Sequence, residues 1–264
     1  MILTSIISFL LKINLSNIFG EFFINDYLLN HNIQTKGGGV VNDLVTYWKY
    51  ILLLKEDFFN LFNLTLGEDG VLFLNFPLHP LIFSQIGYLE SIDSYLKSIF
   101  IISLFFPIIV YFTLSKRFKD LDKSILFLLS SLIYIFPVFQ FTSIWGNNHI
   151  TALIFFCSGI FFLNSFINTN FNKITYLIIS IIFFALACYT RQTYVFFFVY
   201  LISYIYKKIN FKNLLYILFF IFICSLPGFY FLFKNPLLFL VINQDITNFN
   251  SAILVSGSII LFYL

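Results

Sequence analysis

Six polar positions or clusters stand out from an otherwise hydrocarbon-like chain: Asp43, Glu68-Asp69, His79, Asn147-Asn148-His149, Arg191 and Lys207-Lys208. Carboxylates and imidazoles can take or give a proton, carboxamides can hold a hydroxyl, and a guanidinium can pair with an anion. The first five fall on one predicted face of a membrane and the lysine pair on the other. An ionisable group kept at such a boundary is a functional-site hypothesis by default, whereas paired lysines read as a topology signal.

The elements that must position these groups follow from composition. Of 264 residues, 60% are hydrophobic, only 10% are charged and 40 are Phe, which predicts a polytopic membrane protein. A soluble domain of this size needs more charge to cover its surface. Uncharged runs recur here at a length that can cross a hydrocarbon layer of ~30 Å, and backbone satisfaction in lipid then demands helices. The runs are continuous and not period-two, which argues against a membrane barrel. The expected fold class is all-α, a transmembrane bundle of about seven or eight spans. The helices expected are Ser94 to Leu114, Ser124 to Trp145, His149 to Phe166, Ile174 to Thr190, Thr193 to Tyr206 and Asn213 to Phe233. Met1 to Ile24 reads as a retained first span, because no small-residue cleavage site follows its signal-like start. Ser251 to Leu264 is too short to span, so residues 1–264 read as a single domain truncated at its C-terminus.

Basic residues in short loops orient the spans. Lys116, Arg117, Lys119 and Lys123 share one loop, Lys207, Lys208 and Lys212 another, and both are expected on the cytoplasmic side. With the first N-terminus inside, residues 25–93 form an extracytoplasmic loop, and Gly146 to His149, Arg191 and Lys234 to Asn250 also lie outside. Within that loop Leu44, Trp48, Ile51, Leu52, Phe58 and Phe62 recur at helical spacing, with Thr46, Lys49, Glu56 and Asn60 opposite, which predicts an interfacial helix. Asn42 or Asp43 can cap it, Gly37 to Gly39 lead into it, and Phe76-Pro77-Leu78-His79-Pro80 starts a second short helix.

These segments, in this order, resemble the membrane-embedded glycosyltransferases of the GT-C type, which take a sugar from a polyprenyl-phosphate donor outside the cytoplasm. The resemblance covers nearly the whole chain. Val41-Asn42-Asp43-Leu44-Val45-Thr46-Tyr47 stands where the family carries an acidic residue after its first helix. Asn75-Phe76-Pro77-Leu78-His79-Pro80-Leu81 matches a proline-leucine element, with Phe76-Pro77 replacing the usual double proline. Trp145-Gly146-Asn147-Asn148-His149 looks like the polar opening of a later helix, with Asn148 where an acid often stands. Ala185 to Thr193 is similar to a small-residue helix end followed by a phosphate-contacting cation. The resemblance implies Asp43 as catalytic base, and Arg191, His79, Asn148 and Tyr47 as substrate-binding residues. It also implies an inverting displacement, in which an acceptor hydroxyl loses its proton to Asp43 as a polyprenyl phosphate leaves, stabilised by the Arg191 fork. The implied partners are a polyprenyl-phosphate-linked sugar, a glycan, lipid or protein acceptor and membrane lipid, with no nucleic acid. The biased composition and the lack of an endoplasmic-reticulum retention signal suggest a bacterial inner membrane, and the basic loops put the site on its outer face.

Each residue also has a plainer reading. Asp43 can be a helix cap and Arg191 an interfacial anchor. His31, His79 and His149 lack helix-spaced metal patterning, so no metal site is assigned. No cofactor is expected, although Glu68-Asp69 leaves a divalent cation open. Cys157, Cys188 and Cys224 sit apart and read as packing. The glycine triplet lacks the lysine of a nucleotide loop. A transporter or lipid flippase, or a catalytically inactive subunit, is the alternative reading. A transporter would carry internal repeats and broken midplane helices.

Overall fold

The uncharged runs become helices, and their ends fall where charge, proline or a capping side chain interrupts them. The computed structural model describes residues 38–58, 77–87, 89–136, 139, 142–143 and 147–234. The expected first span at 1–24 and the short apolar run at 251–264, together with His31, Glu68-Asp69 and Trp145-Gly146, lie outside the described residues. In chain order the helices are α1 (Gly38–Glu56), α2 (Leu78–Ser84), α3 (Ile92–Arg117), α4 (Lys123–Ser131), α5 (His149–Asn168), α6 (Ile174–Thr190), α7 (Phe196–Ile205) and α8 (Phe211–Lys234). Single 3-10 turns extend α4 over Leu132–Ile135 and precede α7 over Gln192–Val195. No strand occurs among the described residues.

Among the described residues three helices are long and apolar enough to cross a membrane: Ile92–Arg117, His149–Asn168 and Phe211–Phe231. The segments Lys123–Ile135, Ile174–Thr190 and Gln192–Ile205 are apolar but shorter. Local signals set several boundaries. Ser91 and Ser94 form a reciprocal capping box at the start of α3, Asp122 Oδ1 accepts from Ser124 N at 2.9 Å, and Asn210 Oδ1 accepts from Asn213 N at 2.8 Å.

Three expectations are corrected. The run Ser124 to Trp145 is not one unbroken helix, because its first helical stretch ends at Ile135, Phe136 is extended (φ −67°, ψ 122°), and helical residues recur at Phe139, Thr142 and Ser143. Phe136 precedes Pro137, and a residue before proline is pushed out of the helical region. Second, α1 begins at Gly38, so positions 42 and 43 lie within the helix and neither caps it. Third, α1 buries Leu44, Tyr47, Trp48, Ile51 and Leu54, while Leu52 and Phe58 are exposed. Leu44, Trp48 and Ile51 pack as expected, and the stripe turns towards Tyr47 and Leu54 because it follows the pocket offered by Phe83 of α2, Leu89 of the connection and Tyr95 and Ile99 of α3.

The most extensive packing joins α5 to α6. Their core contains Phe156, Ile160, Leu163 and Phe166 on α5 and Leu177, Ile181 and Phe184 on α6, and it continues into α7 and α8. Gly159 lets the two backbones close up: a Cβ there would stand 2.6 Å from the Phe184 ring. Ser180 Oγ donates to the Gly159 carbonyl at 2.9 Å across the same contact. Small residues and interhelical hydrogen bonds at such an approach are what association in lipid relies on. At the other side of α5, Thr113 Oγ1 of α3 donates to the Cys157 carbonyl at 3.1 Å, and Asn168 Nδ2 donates to the Lys116 carbonyl at 2.8 Å.

Two helices carry an internal proline, Pro107 in α3 and Pro227 in α8. Each is met by a tyrosine from a neighbouring segment that donates to the carbonyl three residues before the proline. Tyr134 OH reaches the Leu104 carbonyl at 2.8 Å, and Tyr189 OH reaches the Cys224 carbonyl. Tyr189 OH also accepts from Gly228 N at 3.1 Å. Neighbouring groups of this kind re-satisfy backbone loosened by an internal proline.

Phe184 is boxed in by Phe156 and Phe197, at centroid distances of 5.6 and 4.5 Å, so it cannot yield freely. Gly159→Ala is expected to destabilise the bundle by about 1–3 kcal/mol through over-packing. Thermal unfolding of the full chain in detergent checks this, and an unchanged midpoint would mean that the ring moves aside.

Candidate functional site

The polar groups singled out in the sequence converge on one end of the bundle, where α1, α2 and the starts of α3 and α5 meet the end of α6. Pro77 and Pro80 bracket the start of α2, with Leu81 N bonded to the Pro77 carbonyl at 3.0 Å. The four-residue spacing of His79 and Phe83 puts both on one helical face, and both are fully buried. The imidazole of His79 is a junction. Its Nδ1 lies 2.9 Å from Thr151 Oγ1 in the first turn of α5, and its Nε2 lies 2.6 Å from Tyr95 OH in the first turn of α3. The Tyr47 ring of α1 stands edge-on to it at 5.2 Å, and the Phe83 ring lies at 4.8 Å. One side chain thereby ties four helices together.

A neutral imidazole has one donor and one acceptor nitrogen. Since the phenol is the stronger acid of the two hydroxyl partners, the arrangement that fits has Tyr95 donating to Nε2 and Nδ1–H donating to Thr151. Burial, aided by the nearby His149, pushes the His79 imidazole down to about 3. The ring is neutral throughout the physiological range.

The α5–α6 end carries the remaining groups. Asn148 precedes α5 and is 1% exposed. Its Nδ2 donates to the Thr190 carbonyl at 2.7 Å, so it ties the last turn of α6 and makes no side-chain cap on α5. Arg191 follows α6 directly, partly buried, with an extended backbone (φ −150°, ψ 113°). Its Nη1 donates to the imidazole edge of His149, 2.9 Å from Nδ1 and also in contact with Nε2. Among the described residues no carboxylate pairs with this guanidinium. Asn147 is 5% exposed, and its Oδ1 has no hydrogen-bond partner.

Tyr47, His79, Asn148 and Arg191 are therefore gathered at one end, through contacts that pass by way of the first turn of α5. His79 and Asn148 are buried, both nitrogens of His79 are engaged and the Asn148 amide holds the Thr190 carbonyl, which gives these two the geometry of supports. Position 43 lies in α1 one helical turn before Tyr47, and the Asp43 side chain lies outside the described part of the structure. Thr151 and Tyr95 were missed in the sequence. Their signal was faint, a hydroxyl in the first turn of each apolar helix, and in α3 it stands beside that of Ser94. Among the described residues no group of three or more His, Cys, Asp or Glu could hold a metal ion.

No protein-family model matches the chain, and no curated protein and no solved structure matches it.

The buried imidazole makes stability depend on pH. An unfolded histidine titrates near 6.5 and the native His79 near 3, so its contribution is full above pH 6.5 and is lost as pH falls from there towards 3. At pH 5 the loss is about 2 kcal/mol. Comparing unfolding midpoints at pH 7.5 and pH 5, the wild type should lose more than His79→Gln. Equal losses would remove the imidazole from the account.

Proposed function

We propose that the chain is a membrane-embedded glycosyltransferase of the GT-C type, transferring a sugar from a polyprenyl-phosphate donor to an acceptor hydroxyl. The observation that carries this reading is Arg191, a partly buried guanidinium with no carboxylate partner among the described residues. It stands beside the start of α5, a helix of 20 residues that Asn148 leaves without a side-chain cap. The N-terminal end of a helix bears partial positive charge, so both features favour an anion at this spot. A phosphate leaving group, developing charge as its bond to the sugar breaks, is the anion the sequence resemblance supplies.

In the proposed reaction the acceptor oxygen bonds to the anomeric carbon as the bond from that carbon to the phosphate oxygen breaks. The hydroxyl proton passes to Asp43, and the electron pair leaves with the polyprenyl phosphate, so a single displacement inverts the anomeric configuration. Arg191 holds the phosphate, and His149 orients Arg191. Asn148, by holding the Thr190 carbonyl, fixes the end of α6 from which Arg191 projects, and His79 keeps α1 and α2 against α5. The wider proposal has about seven or eight spans in a bacterial inner membrane, with this end facing outward. The basic loops at the other end of the bundle support that orientation.

The test is transfer of labelled sugar from a polyprenyl-phosphate donor in membranes containing the full-length protein. Asp43→Asn should lower turnover by roughly 10²–10⁴-fold with insertion unchanged. Arg191→Ala should raise the donor KM by about tenfold or more, as expected for a lost charge-assisted pair, and Arg191→Lys should recover only part of it. Transfer surviving intact in Asp43→Asn would sink the base assignment. Donor binding without turnover in the wild type would replace transfer by transport or by an inactive subunit.

A further inference from the structure

The end of the bundle opposite the candidate site gathers cations from each described connection that reaches it. The α3–α4 connection carries Lys116, Arg117, Lys119 and Lys123, all exposed. Lys173 precedes α6, while Lys207, Lys208 and Lys212 lie between α7 and α8, again exposed. These segments are neighbours in space. Asn168 at the end of α5 donates to the Lys116 carbonyl, Lys116 Nζ lies 5.6 Å from the Phe161 ring centroid, and Lys208 Nζ lies 5.2 Å from that of Phe171. The acids on the α3–α4 connection are Asp120 and Asp122, and Asp122 is occupied in capping α4.

The cations are set on aromatic platforms. Lys208 Nζ lies 4.8 Å from the Tyr204 centroid as well as over Phe171, Lys207 is 5.4 Å from Tyr206, and Lys173 is 5.9 Å from Tyr176. Phe171 has φ 62° and its neighbour Asn170 φ 51°, a left-handed conformation that is costly for a bulky aromatic. The edge-on contact of Phe171 with Phe166, at 5.3 Å, holds it there. Between the charges stand exposed apolar groups: Phe118 at 41%, Leu121 at 42%, Tyr206 at 47% and Phe211 at 73%.

We propose that this basic, aromatic-studded end is a binding surface for the headgroups of anionic phospholipids. Charge complementarity requires an anionic partner. The interleaved apolar side chains select a lipid leaflet over a soluble polyanion, because a headgroup arrives with acyl chains that can cover Phe118, Leu121 and Phe211 while its phosphate meets the lysines. The candidate spans Ile92–Arg117 and Phe211–Phe231 end and begin here, which sets the cations at the hydrocarbon boundary where headgroups lie. The proposal is independent of the transferase reading, since it uses none of the residues at the other end.

The experiment reconstitutes the full-length protein in phosphatidylcholine vesicles. The protein-associated fraction of spin-labelled phosphatidylglycerol is then compared with that of spin-labelled phosphatidylcholine by electron paramagnetic resonance. The wild type should favour phosphatidylglycerol by about fivefold in 0.1 M chloride and fall close to parity in 1 M chloride. The combined variant Lys173→Gln, Lys207→Gln, Lys208→Gln, Lys212→Gln should lose most of the preference, and the corresponding Lys→Arg variant should keep it. Inorganic phosphate at matched ionic strength should not displace the lipid. Equal association of the two lipids with the wild type, or a preference indifferent to salt, overturns the proposal whether or not the Gln variant inserts. Displacement by phosphate beyond the chloride control would assign the surface to free anions.

Discussion

The close approach of α5 and α6 at Gly159 governs the rest of the molecule. With no side chain at that position, the Phe184 ring sits on the α5 backbone and Ser180 reaches the Gly159 carbonyl. Two apolar helices in lipid gain nothing from excluding water, so closeness, dispersion and an interhelical hydrogen bond must hold them. Once this pair is fixed, its two ends are fixed as well. At one end Asn148 meets the Thr190 carbonyl and Arg191 meets His149. At the other, Phe166, Phe171 and Lys208 come together. A spacing set in the middle of the bundle thus decides the geometry of both polar ends.

Between those ends, polar side chains are spent on backbone carbonyls. Thr113, Ser130, Ser158, Ser165 and Ser180 all donate to main-chain oxygens within their own or an adjacent helix, as low-polarity surroundings demand. Against that background the α5–α6 end differs in kind. Among the described residues its guanidinium faces an imidazole and no acid, and a buried carboxamide oxygen on Asn147 has no donor. Buried polar groups are almost always satisfied, and although Asn164 Nδ2 towards the other end of α5 also lacks a partner, the candidate site alone among the described residues combines such a group with a partly buried guanidinium.

Much of the helical layout was legible because charge marks its boundaries. The run from Ile174 to Thr190 has the same limits in sequence and structure, and His149 opens α5 as its position after two asparagines suggested. The break after Ile135 was hidden by the unbroken apolar run through Phe136 and beyond, and only Pro137 hinted at it. Periodicity located an amphipathic α1 and placed Leu44, Trp48 and Ile51 on its packed face, but it misplaced Leu52 and Phe58, since Leu52 and Leu44 are equally apolar and tertiary contact alone distinguishes them. At the site, residue type announced Arg191, His79 and Asn148 as unusual. Nothing in the spacing could reveal that His79 binds Tyr95 and Thr151, because that junction joins positions 16 and 72 residues away.

The tyrosines set against Pro107 and Pro227 bear on how such a bundle assembles. A carbonyl loosened by a proline is a liability in lipid, where an unsatisfied polar group costs several kcal/mol. In α8 that liability is relieved by a hydroxyl belonging to α6, and in α3 by one from the turn after α4. A helix docked against the wrong neighbour, or in a slipped register, would keep its exposed carbonyl and remain the less stable arrangement. The proline–tyrosine pairs therefore act as proofreading contacts: each local defect is a question that only the correct neighbour answers.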